Sequence, residues 1–194
     1  MRRVNWNSWL SDICIILFAA AFSLFLNQLF VIGEIASLSE AYAKVGQDQF
    51  TQSFELGLLL YCVCSPILEE LLFRLIVQKG LNFLFHTGVR GRRIVLVVSA
   101  LAFACYHGNV VQGLFAFPMG IFMALFYELL GNVAAPILFH VSANLTTWIV
   151  SNGNGFAVGQ TGLVLCVIYA ILAGVLGTIT LKRIVNNKKN SIII

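Results

Sequence analysis

Apolar residues run through this chain in long blocks, cut by short polar patches rather than alternating with them. A helix crosses the hydrocarbon of a bilayer with roughly 20 apolar residues. Six segments approach that length: residues 11–32, 54–77, 94–108, 111–130, 133–150 and 161–181. The third is short, as suits a helix shielded by others. The stretch 94–150 is apolar except for Gly-Asn pairs at 108–109 and 131–132, which mark tight turns and divide it into three helices. The pattern predicts an all-α, polytopic membrane bundle of about six transmembrane helices around a polar cavity. It forms one domain over residues 1–194, with a polar-motif core at about 54–150. Residues 33–53 are polar and amphipathic and predict a short surface helix on the outer face. Asn186–Asn190 reads as a disordered tail. No internal repeat is evident, which argues against a small transporter.

Composition agrees. Hydrophobic residues make up 59% of the chain, charged residues 10%, and mean hydropathy is +0.90, against about 25% charged in a soluble domain. The solvent is lipid, and the net charge of +4 calls for no nucleic-acid partner. The apolar block after Arg2 and Arg3 exceeds the 7–15 residues of a secretory signal core, so it predicts an uncleaved first span. Basic residues favour the cytoplasmic side. Arg2 and Arg3, then Lys79, Arg90, Arg92 and Arg93, then Lys182, Arg183, Lys188 and Lys189 all fall on one side if there are six spans. Both termini are then cytoplasmic. The five cysteines lie in apolar runs without a CxxC and are expected to be unpaired.

A charge in the bilayer core costs at least a few kcal/mol and usually marks function or a buried pair. The second segment carries Glu69, Glu70 and Arg74. Glu70 and Arg74, four apart, share a helix face and predict an ion pair. Glu69 is rotated by about 100°, which leaves it available as a base. His107 ends the third segment. His140 and Asn144, again four apart on the fifth, can donate hydrogen bonds to an oxyanion or serve as polar glue between helices. Counting from the basic loops puts Glu69, His107 and His140 in mid-bilayer or on its cytoplasmic side, where they can converge. Pro66 and Pro136 precede the two polar pairs and predict bends that free backbone carbonyls. Glu128 is expected to snorkel and His86 to be solvated. Ser99, Ser142 and Thr146 are expected to bond carbonyls of their own helices. GxSxG and HExxH are both absent.

In this order the motifs Glu69-Glu70-Leu-Leu-Phe-Arg74, Phe103-Ala-Cys-Tyr-His107 and His140-Val-Ser-Ala-Asn144 resemble the CPBP family. That family comprises the type II CAAX prenyl endopeptidases and their bacterial Abi, or bacteriocin-processing, relatives. The resemblance covers about residues 58–148, and the short chain is similar to the bacterial members. It implies an intramembrane endopeptidase, multi-pass in a bacterial cell membrane, that hydrolyses a peptide or membrane-protein substrate. Carried onto this chain, Glu69 and His107 activate water, His140 and Asn144 bind the oxyanion, and Glu70 and Arg74 support the site. The family is often labelled metalloprotease. A zinc ion held by Glu69, His107 and His140 and a metal-free glutamate mechanism are both open, the second favoured because Asn144 is a poor zinc ligand. The alternative is a non-catalytic membrane binding protein of the same fold, acting in bacteriocin self-immunity or as a sensor-kinase partner.

Overall fold

A computed structural model describes residues 9–85 and 88–190 of the chain. Arg2, Arg3 and His86, which carry expectations above, lie outside the described residues. Seven helices make up almost all of the rest. They are α1 (Trp9–Ile32), α2 (Glu40–Phe50), α3 (Phe54–Phe85), α4 (Gly88–Tyr106), α5 (Val110–Leu130), α6 (Ala134–Asn152) and α7 (Gly159–Asn190). Among the described residues there is no strand. Four helices are long and apolar enough to cross a membrane: α1, α3, α5 and, within α7, Gly159–Lys188. Each of the other two long helices, α4 and α6, has 19 residues.

The helix ends follow local chemistry. Asn109 caps α5 by accepting from the Gln112 N–H at 2.7 Å. Gly131, at φ 67°, ends α5 in the left-handed conformation that glycine tolerates. Both predicted Gly-Asn turns are therefore real. Ser39 caps α2 through the Tyr42 N–H, so 33–53 does hold a helix. Other expectations need correction. Helix α4 starts at Gly88 and includes Arg90, Arg92 and Arg93, exposed side chains that cost the first turns nothing. Helix α3 continues to Phe85. Residues 186–190 are helical, not a disordered tail, because α7 stays docked on α1: Arg183 Nε and Asn187 Nδ2 each lie 3.3 Å from Ser11 Oγ. Pro136 lies in the first turn of α6, where no intrahelical bond is lost, so it starts that helix rather than bending it.

Cross-helix bonds fix directions. Gln28 meets the Ala157 carbonyl and Thr180 the Cys14 carbonyl, so α1 and α7 are antiparallel. Asn27 meets Thr147, and the Phe18 and Phe139 rings pack together, so α1 and α6 are parallel. Gln78 meets the Ala124 carbonyl and Asn82 meets Glu128, so α3 and α5 are parallel. One end of the bundle thus gathers Lys79, Arg90, Arg92, Arg93, Lys182, Arg183 and Lys188. The opposite end carries α2, the 107–109 turn and the C-terminus of α6.

Leu17, Leu59, Ile76, Leu101, Leu114 and Ile171 are among many large apolar residues exposed on the outside, while Glu70, Arg74, Gln78 and Ser99 are fully buried. An apolar exterior around a polar interior suits lipid as the solvent. The aromatic centre is Phe18, Phe122, Phe126 and Phe139, in tilted and edge-to-face pairs.

Candidate active site

Helix α3 builds the site through two wide, π-type stretches, Leu58–Cys64 and Leu71–Gln78. Such turns are frequent at functional positions. In the first, the Ser65 N–H reaches back five residues to the Leu60 carbonyl. The next bond in that register would run from residue 66 to the Tyr61 carbonyl, but Pro66 has no N–H. The orphaned carbonyl takes a side-chain donor instead: Asn144 Nδ2 lies 3.0 Å from Tyr61 O. The predicted freed carbonyl therefore exists, and it fixes Asn144 against α3.

One turn on, Arg74 Nε donates to Glu70 Oε2 at 2.7 Å, as the four-residue spacing predicts. The Arg74 Nη1 donates to Gln78 Oε1 at 3.1 Å and to Ser99 Oγ at 3.0 Å, and Gln78 Nε2 donates to the Ala124 carbonyl at 2.9 Å. Ser99 is thus a partner of Arg74, correcting the expectation that it would serve its own helix, whereas Thr146 does bond the Ser142 carbonyl. Glu128 accepts from Asn82 at 3.3 Å, so its carboxylate is held within the bundle rather than only snorkelling. The ladder Glu70–Arg74–Gln78 ties α3 to α4 and α5.

The other Glu70 oxygen accepts from His140 Nδ1 at 3.1 Å, and His140 Nε2 lies 3.9 Å from Glu69 Oε2. The imidazole of α6 therefore bridges the two adjacent carboxylates. Its principal partner is Glu70, not Asn144. Glu69 is not free either: Ser65 Oγ donates to its Oε1 at 2.5 Å. His107 follows the last residue of α4. Its Nδ1 lies 2.9 Å from the Phe103 carbonyl. A carbonyl only accepts, so Nδ1 carries the hydrogen and Nε2 of the neutral ring holds the lone pair. The Phe103 ring meets both imidazoles edge-on, at 4.9 Å from His107 and 5.6 Å from His140. That gives a physical reason for a phenylalanine four residues before His107.

Glu69, His107, His140 and Asn144 all line one cavity of about 600 Å³. They converge, as expected from the sequence. His107 sits in the turn at the end of α4 farthest from Arg93, about 21 Å along the helix at 1.5 Å per residue, and the cavity belongs to the end bearing α2. Sequence reasoning missed Ser65, Gln78 and the α2 residues Tyr42, Val45, Gly46 and Gln49 that also line the cavity or support it. Ser65 and Gln78 were visible as further steps of the same four-residue spacing.

Zinc needs protein ligands about 2.0–2.2 Å from the ion. Among the described residues no group of three His, Cys, Asp or Glu is placed to share one. The five cysteines are free thiols.

Neither the curated proteins nor the solved structures gave a match to the chain. A family did: the Rce1-like type II CAAX prenyl endopeptidases match residues 51–146, a stretch that contains Glu69, Glu70, Arg74, Phe103, His107, His140 and Asn144. The three motifs, on three separate helices and meeting around one cavity in a lipid-suited bundle, thus all lie within the stretch that matches the CAAX-protease family.

Proposed function

We propose that the chain is an intramembrane endopeptidase whose water is activated by Glu69. The observation that carries this reading is the single cavity shared by a carboxylate, two imidazoles and a side-chain amide drawn from α3, the α4–α5 turn and α6. Glu69 accepts a proton from water as the water oxygen adds to the scissile carbonyl carbon, and the lone pair of His107 Nε2 accepts a hydrogen bond from the O–H that remains. The carbonyl π pair moves to oxygen. Asn144 keeps one amide hydrogen on Tyr61 and has a second for that oxyanion. His140 donates there only as an imidazolium, since its Nδ1 hydrogen is committed to Glu70. Collapse breaks the C–N bond, and the proton held by Glu69 passes to the leaving nitrogen. Glu70, Arg74 and Gln78 hold the assembly from behind.

All six long helices cross the bilayer in this reading, with the basic end cytoplasmic. The substrate is a peptide or a membrane protein. The test compares peptides released from a peptide mixture by the wild type and by Glu69→Gln in liposomes. Glu69→Gln keeps the size and the Ser65 contact but is no base, so it is expected to release nothing above background. Equal release by both proteins sinks the assignment.

A further inference from the structure

The family match does not reach all of the cavity lining: Asn27, the residues from α2, Thr147, Trp148 and Ser151 lie outside it. Helix α2 ends before residue 51, where the match begins. Five of its residues, Tyr42, Ala43, Val45, Gly46 and Gln49, line the cavity. Their spacing is that of one helix face. Gln112, Phe115 and Ser151 line the same cavity.

Gly46 is the informative position. Glycine inside a helix weakens it relative to alanine, so a glycine there usually answers a need for a positive φ or for close packing. Gly46 has neither. Its backbone is ordinary helix, and a Cβ built on it meets nothing within 4 Å. Gly57 contrasts with it, since a Cβ there would sit 2.3 Å from the Trp148 ring. The space beside Gly46 is left over by the packing and belongs to the cavity.

Resting on the endopeptidase reading, we infer that α2 is the substrate-selecting wall of the cavity and that Gly46 admits a bulky apolar side chain of an extended, uncharged peptide segment. The chemistry of the lining fits that occupant. Glu69 is the only Asp, Glu, Lys or Arg among the lining residues, so a substrate carboxylate would find no Lys or Arg and one like charge. The Gln49 and Gln112 amides can hold peptide groups. Burial pushes the Tyr42 phenol above its usual range, so it stays a protonated donor. Val45 and Phe115 supply apolar surface.

The experiment uses the full chain in liposomes and the series Gly46→Ala, Gly46→Leu and Gly46→Trp. The released-peptide profile is expected to lose bulky apolar residues at the cleavage site progressively, by about tenfold or more against small ones at Gly46→Trp. Ala41→Trp, on an exposed α2 position outside the lining, keeps the wild-type profile. A second arm needs no proteolysis: maleimide modification of Ser151→Cys is slowed several-fold by Gly46→Trp but not by Ala41→Trp. A wild-type profile in Gly46→Trp, with unchanged melting, overturns the inference. So does labelling that Gly46→Trp fails to slow. If the wild type releases no more than Glu69→Gln, the endopeptidase reading fails, and the labelling arm still decides whether α2 walls the cavity.

Discussion

At the scale of single residues, the site is a row of four-residue steps along α3. Ser65 serves Glu69, and Glu70 serves Arg74, which serves Gln78. A hydrogen bond to a charged group is worth about 1.5–3 kcal/mol. Ser65→Ala is therefore expected to lower kcat/KM about tenfold or more, with Ser65→Thr recovering most of it in the same peptide-release assay. Arg74 is fully buried and reaches three partners with a planar fork. Arg74→Met strands the Glu70 carboxylate and should cost about 3–5 kcal/mol, read as a large drop in melting temperature in detergent. Arg74→Lys should fare nearly as badly, because a single ammonium cannot span Glu70, Gln78 and Ser99 together. The Glu70–Arg74 pair was legible in the sequence because helical spacing alone brings it together. The contacts of Arg74 with Ser99, of Gln78 with Ala124 and of Glu70 with His140 were not, since each joins separate helices whose facing no local pattern specifies.

At the scale of elements, proline and glycine set the geometry around the cavity. Pro66→Ala would restore an N–H that competes with Asn144 for the Tyr61 carbonyl. The expected result is a helix at least as stable and an enzyme less active, checked by thermal melting and peptide release on the same sample. Gly57→Ala would press a methyl group into the Trp148 ring, a clash expected to cost about 1–3 kcal/mol. The sequence marked Pro66 correctly because its missing donor is a local fact. It misjudged Pro136, because a proline costs a helical bond only beyond the first turn, and a start at 133 or at 134 leaves Pro136 within that turn. It placed α2 on the surface because its polar face is visible in the pattern. That its other face closes a cavity depends on α5 and α6, far away in the chain.

At the scale of the whole molecule, the fold class was the most legible feature, since long apolar blocks leave few alternatives to helices in lipid. The placement of the cavity along the bundle was the least legible. The count from the basic loops put His107 fourteen residues beyond Arg93, and those residues run the rest of α4, so His107 arrives at the end of the bundle opposite the arginines. The proposed topology makes a direct expectation: a membrane-impermeant thiol reagent applied outside intact cells modifies Lys44→Cys but not Lys182→Cys. Chelation gives another, namely peptide release unchanged by EDTA, whereas loss of release restored by zinc would mean that Glu69, His107 and His140 close around an ion in solution. The Glu70–Arg74 pair also bears on how the protein is made. Both charges lie on one helix, so α3 carries its own counterion when it leaves the ribosome and can partition into lipid as a near-neutral segment before α4, α5 and α6 exist. His140 joins Glu70 only when α6 has been synthesised. The site is thereby assembled last, after its most costly charges have already been delivered to the membrane.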